Sequence, residues 1–282
     1  MRLVLLQCLL VMQWKYVNSF ARSSSMMIRR RQPLVSLSMC TEESTAGSLK
    51  RSLIQLMSTT ERGTRDTNRA QIFQVIDDLS RTGMPISISD MLGEWELLYS
   101  DDDVTRASPF FWAFRKALSG IEDPLKIVGP KLLSESIFKI TDSIPLKSIG
   151  TAMQIFDEDP SMGGQGLLKS RIVVKVNPGN FQSVMATTSK WRTTDEPTLL
   201  ELEVQKTEVL ESTLMSKVGR FVPKGLKSMV SSTLDGFPSG AALELVKPGS
   251  STVYMRIVYQ DSTLRIVRNE ADGKTFIFGR VL

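Results

Sequence analysis

The chain contains no histidine, and its two cysteines, Cys8 and Cys40, both lie within the first 40 of its 282 residues. Most proton transfer in enzymes uses histidine, and nucleophile triads and Cys/His zinc sites also depend on these two residue types. Any catalysis would have to rely on Asp, Glu, Lys, Ser or Tyr. We therefore predict no catalytic residue, no metal ligand, no cofactor and no disulfide framework in the body of the chain.

Two segments at opposite ends of the chain carry the most specific residue pattern. Residues 92–100 read Leu-Gly-Glu-Trp-Glu-Leu-Leu-Tyr-Ser, and residues 261–268 read Asp-Ser-Thr-Leu-Arg-Ile-Val-Arg. Both segments have the alternation of a β-strand. The Gly93-x-Trp95 pair is typical of the first strand of a small ligand-holding barrel, in which an arginine from a late strand packs on the tryptophan.

These segments predict a structural contact in the interior of such a barrel. Arg265 or Arg268 is expected to stack on the ring of Trp95, a contact that contributes about 0.5–2 kcal/mol. Asp261 is expected to fix the turn before the arginine strand or to pair with an arginine. We interpret all of these residues, together with Gly93, as structural.

A second group of residues predicts contact with a ligand or a lipid. Alternation places Trp95, Leu97 and Tyr99 on one side of the first strand, and Trp191 and Tyr254 lie in later strands. Four more aromatic residues follow a helix-starting Ser-Pro pair: Phe110, Phe111, Trp112 and Phe114. Neighbours on a helix point about 100° apart, so these four are expected to be partly exposed.

The aromatic group after Ser108-Pro109 has three interpretations. It forms a lid over the barrel mouth, a wedge in a lipid surface with Arg115 and Lys116 at the headgroups, or a helix packed outside the barrel. A basic segment at residues 216–234 similarly either contacts anionic lipid or forms a solvated face. Its cations are Lys217, Arg220, Lys224 and Lys227.

The spacing of apolar residues defines the elements that must position these side chains. Helical spacing at residues 49–57 and 72–79 predicts a helical hairpin within residues 41–90. Strands are predicted at 92–100, 151–156, 168–176, 182–192, 199–210, 253–260, 264–269 and 275–281, with hairpin turns at 177–180 and 271–274. Eight strands with short turns predict an up-and-down antiparallel β-barrel over residues 91–282, with room for one small ligand.

The net charge of +5 comes from the N-terminal segment. Residues 1–40 hold six of the 35 Lys and Arg side chains and none of the 30 Asp and Glu, which leaves 29 basic and 30 acidic groups in residues 41–282. A body with a net charge of −1 lacks the basic surface that nucleic-acid binding needs. We therefore expect no nucleic-acid partner.

The N-terminal segment has the features of a targeting sequence. The apolar run at residues 3–12 would span about 15 Å as a helix, against roughly 30 Å of bilayer hydrocarbon, so residues 1–19 fit a signal peptide. Residues 20–40 contain no acid and begin with Phe20, which resembles the second part of a bipartite plastid presequence in algae with secondary plastids. The alternative is a secretory signal followed by a disordered linker.

The two end segments resemble those of one protein family. Thr60-Glu61-Arg62-Gly63, the helix at 72–79 and residues 92–100 resemble the opening of the plastid lipid-associated protein (fibrillin) family. Residues 261–268, followed by Gly273 and Phe276, are similar to its closing motif of Asp, two spacers, Leu-Arg-Ile, one spacer and Arg. The resemblance covers residues 49–282, and its specific residues lie at the two ends.

The resemblance implies a lipocalin-like antiparallel β-barrel in the plastid. Such proteins bind or organise carotenoids, quinones or other lipids at thylakoids or plastoglobules. One alternative is a structural or assembly scaffold that acts through the barrel exterior on membranes or partner enzymes. Another is an enzyme of similar shape, such as a xanthophyll-modifying one, but the body of this chain lacks the His and Cys expected there.

Overall fold

The computed structural model describes residues 45–65, 68–82, 87–119, 147–159, 163–176, 181–212 and 239–281. In these residues, eight antiparallel strands follow one another around a single sheet, which closes in a ring because the last strand pairs with the first. The strands are β1 Gly93–Ser100, β2 Lys147–Glu158, β3 Gln165–Val176, β4 Phe181–Thr193, β5 Leu199–Ser212, β6 Thr252–Gln260, β7 Leu264–Asn269 and β8 Thr275–Arg280.

The strand order confirms the predicted mainly β chain with eight antiparallel strands. The predicted bounds agree to within four residues, the largest difference being the earlier start of β2. The predicted turn at 271–274 joins β7 to β8. The turn at 177–180, the basic segment at 216–234 and the targeting segment at 1–40 lie outside the described residues.

The described helices lie before the ring and between its strands. They are α1 Thr45–Ser58, α2 Arg69–Ser80, α3 Ile88–Met91, a 3-10 helix Val104–Ala107, α4 Pro109–Leu118 and α5 Ser239–Val246. The first two pack against each other, as the apolar spacing predicts. Their buried side chains and outward residues of β1, β6, β7 and β8 form the outer cluster: Leu53, Met57, Ile72, Ile76, Leu79, Tyr99, Tyr259, Leu264, Ile266 and Ile277.

Tyr99 belongs to this outer cluster, so the prediction that it shares one face with Trp95 and Leu97 is wrong. The register of β1 on β8 shifts between them, with Leu97 opposite Phe278 and Tyr99 opposite Ile277. A bulge of this kind reverses the side to which the following residues point. Tyr99 therefore packs under the helices and does not line the interior.

Two glycines with positive φ angles join the helical pair to β1. Gly63 has φ +89°, and a Cβ there would lie 1.9 Å from the carbonyl oxygen of Ser100. In the same turn, the carbonyl of Arg62 accepts a hydrogen bond of 3.1 Å from the Ser100 amide. Gly93 has φ +101°, a backbone conformation that side chains rarely adopt. The turn at 60–63 thus fixes the helices to the end of β1.

Candidate functional site

The interior of the ring contains a continuous apolar cluster. One end is covered by α3, where the Trp95 indole donates to the Met91 carbonyl at 2.9 Å and Arg280 donates to the Asp90 carbonyl. Most inward side chains of the strands pack against each other and keep almost no exposed surface. Those exposed by 1% or less are Trp95, Leu97, Phe156, Leu168, Ile172, Trp191, Leu200, Leu202, Val204, Met255, Val267, Phe276 and Phe278.

A buried arginine lies inside this cluster, among three aromatic rings that we call the arginine cage. The guanidinium carbon of Arg265 is 4.6 Å from the ring centroid of Trp95, 4.5 Å from that of Phe156 and 5.0 Å from that of Phe278. Trp95 thus lies in the interior as predicted. Two arginines lie over its ring: Arg265, one of the two that were predicted, and Arg280, whose guanidinium carbon is 4.7 Å from the ring centroid. Arg268 instead points outward, on the same side of β7 as Ile266, and is half-buried.

The Arg265 guanidinium is fully buried, and among the described residues it donates one hydrogen bond, from Nη2 to Oε1 of Gln154 at 2.8 Å. Within the described part of the chain, its Nε and Nη1 atoms have no hydrogen-bond partner. Burial, together with the nearby charge of Arg280, lowers the pKa of Arg265 below its usual value. Attraction to three ring faces compensates part of this desolvation.

A row of polar side chains crosses the interior from Arg265, and we call it the polar belt. Gln154 links Arg265 to the 3-10 helix, because its Nε2 donates to the Ala107 carbonyl at 3.1 Å. The row continues strand by strand, since each member lies opposite the next in the register or bonds to it. Its members are Gln154, Ser170, Thr187, Thr207 and Ser239.

Sequence reasoning missed the polar belt because each member is an ordinary polar residue. The available signal was the alternation of β2 and β3, in which Gln154 and Ser170 occupy inward positions between apolar residues. Only the register shows that these positions adjoin one another. Both side chains are at most 2% exposed.

On the side of the polar belt away from α3, the inner surface is apolar, and three of its side chains are only half-buried. Ile149 lies opposite Val174, and Met185 lies opposite Ile172 on the neighbouring strand pair. We call Ile149, Val174 and Met185 the distal patch. These three pack against the edge of the interior cluster and keep part of their surface exposed. The distal patch is therefore the part of the inner surface that a further apolar group can cover.

The aromatic helix α4 packs into the interior cluster, which corrects the expectation of partial exposure. Phe110, Phe111 and Trp112 are exposed by 9%, 6% and 4%, and Phe114 is half-buried. Adjacent aromatics are all buried because α4 is enclosed by α5, the 3-10 helix and the strands β4, β5 and β6. The wedge in a lipid surface and the helix packed outside the ring are thus both excluded for α4.

The two cations of α4 hold this helix to the ring instead of facing outward. Arg115 pairs with Asp102 at 3.2 Å and with Asp272. The Lys116 ammonium donates to the Thr252 carbonyl at 2.8 Å. Of the earlier interpretations, a lid that closes over the interior agrees with this placement.

Of the two remaining residues that were predicted to contact a ligand, one faces the interior and the other faces outward. Trp191 lies in the interior cluster, where its indole donates to the Asp157 carbonyl at 3.0 Å. Tyr254 faces outward, is 37% exposed and lies 3.5 Å from a Glu201 carboxylate oxygen. Its neighbours Val253 and Met255 point inward, so alternation along β6 removes Tyr254 from any interior site.

Asp261 fixes the turn before β7, as one of its two interpretations predicted. Its Oδ1 accepts from the backbone amides of Thr263 and Leu264 at 2.7 and 2.8 Å. Its Oδ2 accepts from the Tyr259 hydroxyl and the Lys50 ammonium, both at 2.7 Å. The ion-pair partner is therefore a lysine from α1 and not an arginine.

Metal sites, membrane-spanning helices and similarity to known proteins give no further indication of function. Within the described residues, no three His, Cys, Asp or Glu side chains are grouped to hold a metal ion, and no helix is long and apolar enough to cross a membrane. No protein-family model matches the sequence, and no curated protein or solved structure matches it.

Proposed function

We propose that the closed ring is a lipocalin-like β-barrel that binds a hydrophobic small molecule. The observation that carries this proposal is the distal patch, an inward-facing apolar surface that the chain covers only in part. Burial of apolar area contributes about 25 cal/mol per Å², so a few hundred Å² of ligand surface suffice for measurable affinity. No catalytic group is required.

The resemblance to plastid lipid-associated proteins supports a carotenoid, a quinone or another lipid as the ligand class. The targeting features of residues 1–40 support action in a plastid, at a thylakoid or plastoglobule surface. The lid-like placement of α4 supports a ligand enclosed between this helix and the inner strand faces.

The full chain, incubated with a plastid pigment and lipid extract and then repurified, tests the proposal. We expect organic extraction and mass spectrometry to recover one class of lipid in near-stoichiometric amount. Val174→Glu should reduce the recovered lipid, because it places a charge on the distal patch. Val173→Glu is the matched control, since this neighbouring side chain points outward. A folded wild-type chain that retains no lipid would contradict the proposal.

A second candidate function is a scaffold that acts through the exterior of the ring. The observation in its favour is the dense filling of the interior around Trp95, Phe156 and Trp191. A ring filled by its own side chains can still present an outer surface to membranes or partner enzymes. The folded but empty outcome of the lipid experiment would favour this function.

A further inference from the structure

The unpartnered nitrogens of Arg265 are a feature that the filled interior does not explain. A guanidinium has five N–H donors, and a buried donor without an acceptor is costly. Arg265 uses Nη2 on Gln154, while Nε and Nη1 have no acceptor among the described residues. Among the partners that complete such an exception are an ordered water, an ion and a bound molecule.

The described interior contains no carboxylate to neutralise this cation. Among the described residues, the acids with the least exposed side chains are Asp261, which contacts Tyr259 of the outer cluster, and Asp101, which pairs with Arg69 of α2. The charged side chain that lowers the pKa of Arg265 is Arg280, which is another cation. Buried charges are ordinarily paired, so the interior has an excess of positive charge that an anionic group would offset.

The arrangement of the inner surface defines what kind of anionic molecule fits. Gln154 bonds to the arginine, Ser170 lies opposite Gln154, and Val174 of the distal patch follows Ser170 by four residues on the same strand. Four residues of β-strand span about 13 Å. Along this path from Arg265 to the distal patch, polar contacts come first and apolar contacts follow, which matches a molecule with a polar head and a long apolar tail.

We propose that the interior binds a long-chain amphiphile whose anionic head contacts Arg265 and whose apolar tail covers the distal patch. This inference rests on the proposed function and names its ligand class. The anionic oxygens accept hydrogen bonds from Nε and Nη1 of Arg265, the donors that have no acceptor among the described residues, and such charge-assisted bonds are roughly twice as strong as neutral ones. Gln154 then remains bonded to the Ala107 carbonyl of the 3-10 helix.

Binding of palmitate and of methyl palmitate to the full chain tests this inference. The two probes share one tail and differ in the charge of the head. We expect palmitate to bind at least about tenfold more tightly, in line with the strength of charge-assisted hydrogen bonds. Acetate, which has the head without the tail, should not displace palmitate. Equal affinity for acid and ester, or displacement by acetate, would overturn the inference.

Three variants test whether Arg265 causes the preference for palmitate over methyl palmitate. Arg265→Met should abolish the preference for palmitate over the ester, whereas Arg265→Lys should keep a preference for the acid. Arg256→Met is the matched control, because this arginine faces outward and pairs with Glu196 and Glu270. An acid preference that persists in folded Arg265→Met would overturn the assignment.

The outcomes separate this inference from the proposed function. If Arg265→Met does not fold, the wild-type comparison and Arg265→Lys decide between the alternatives. A chain that retains lipid from the extract but binds neither probe overturns the inference alone. A chain that retains no lipid from the extract overturns the proposed function and the inference with it.

Discussion

Asp261 connects helix α1 to the turn before β7 through a single carboxylate. It accepts five hydrogen bonds, from Lys50, Tyr259, Leu264 and two groups of Thr263. Burial alone would raise the pKa of Asp261, but these bonds outweigh it and hold the pKa well below its usual range. Burial and the same carboxylate raise the pKa of Tyr259. The carboxylate therefore stabilises the contact between α1 and the turn before β7.

Replacing this carboxylate should destabilise the fold in a pH-dependent manner. For Asp261→Asn we expect the free energy of unfolding at neutral pH to fall by about 2–3 kcal/mol, because hydrogen bonds to charged groups each contribute about 1.5–3 kcal/mol. A depressed pKa means that the contribution is present above the ordinary Asp value of about 3.9 and is lost as the pH falls below it. Urea unfolding of both proteins at several pH values measures this difference.

Asp78→Asn is the matched control for that experiment. Asp78 pairs with Arg81 on the exposed side of α2, so its replacement should change stability by no more than about 0.5 kcal/mol. A difference between wild type and Asp261→Asn that stays constant down to about pH 3 would contradict the role of the ionised carboxylate.

Gly63 offers a second prediction for a single residue. Gly63→Ala should lower the free energy of unfolding by about 2–4 kcal/mol, because it combines a strained φ with overlap against the Ser100 carbonyl oxygen. Gly273 has φ +69° but no atom within 4 Å of an added Cβ. Gly273→Ala should therefore cost only about 1–2 kcal/mol. If thermal or chemical unfolding shows an equal loss of stability for the two variants, the close approach of residue 63 to the Ser100 carbonyl has no role.

Among the elements, α4 differs most from an ordinary surface helix because it contributes to the core on several sides. Its Trp112 indole donates to the Arg106 carbonyl at 2.6 Å, and the indole ring lies 5.5 Å from the ring of Phe276. Arg115 ties the same helix to Asp272 in the turn between β7 and β8. These contacts make α4 part of the closed interior.

Removing the central side chain of α4 should therefore affect stability strongly. We expect Trp112→Ala to reduce the free energy of unfolding by about 3–5 kcal/mol, as for other buried large-to-small substitutions. Leu245→Ala on α5 is the control, since Leu245 is 82% exposed and should change stability by less than about 0.5 kcal/mol. A Trp112→Ala protein as stable as Leu245→Ala would show that α4 is dispensable for the fold.

At the scale of the whole molecule, the ring and the targeting segment are expected to work in one compartment. We expect residues 1–40 fused to a fluorescent protein to direct it into the plastid of an alga with a secondary plastid. Phe20→Ala should divert the fusion, because Phe20 stands at the predicted junction of the two targeting parts. Met26→Ala in the same stretch should leave its location unchanged. Secretion of the unaltered fusion, seen by microscopy, would favour the plain signal peptide.

The sequence by itself determined the eight strands and the helices α1, α2 and α4, together with their order, whereas α3, the 3-10 helix and α5 were not among its predictions. Period-two alternation located all eight strands, and helical spacing located α1 and α2, because burial of one face leaves a regular apolar pattern along the chain. The Gly93-x-Trp95 segment and residues 261–268 also predicted an arginine on the Trp95 ring. These features depend on residues that are close together in sequence, or on two sequence motifs that are typically found together in one barrel.

Only the tertiary structure decided which side chains meet inside the ring. A bulge sends Tyr99 outward, and the enclosure of α4 buries aromatics that a free helix would expose. The partner of Asp261 is Lys50, 211 positions away, and Gln154 lies 111 positions from Arg265. Such contacts depend on strand register and ring closure, which bring distant residues together without leaving a local pattern in the sequence.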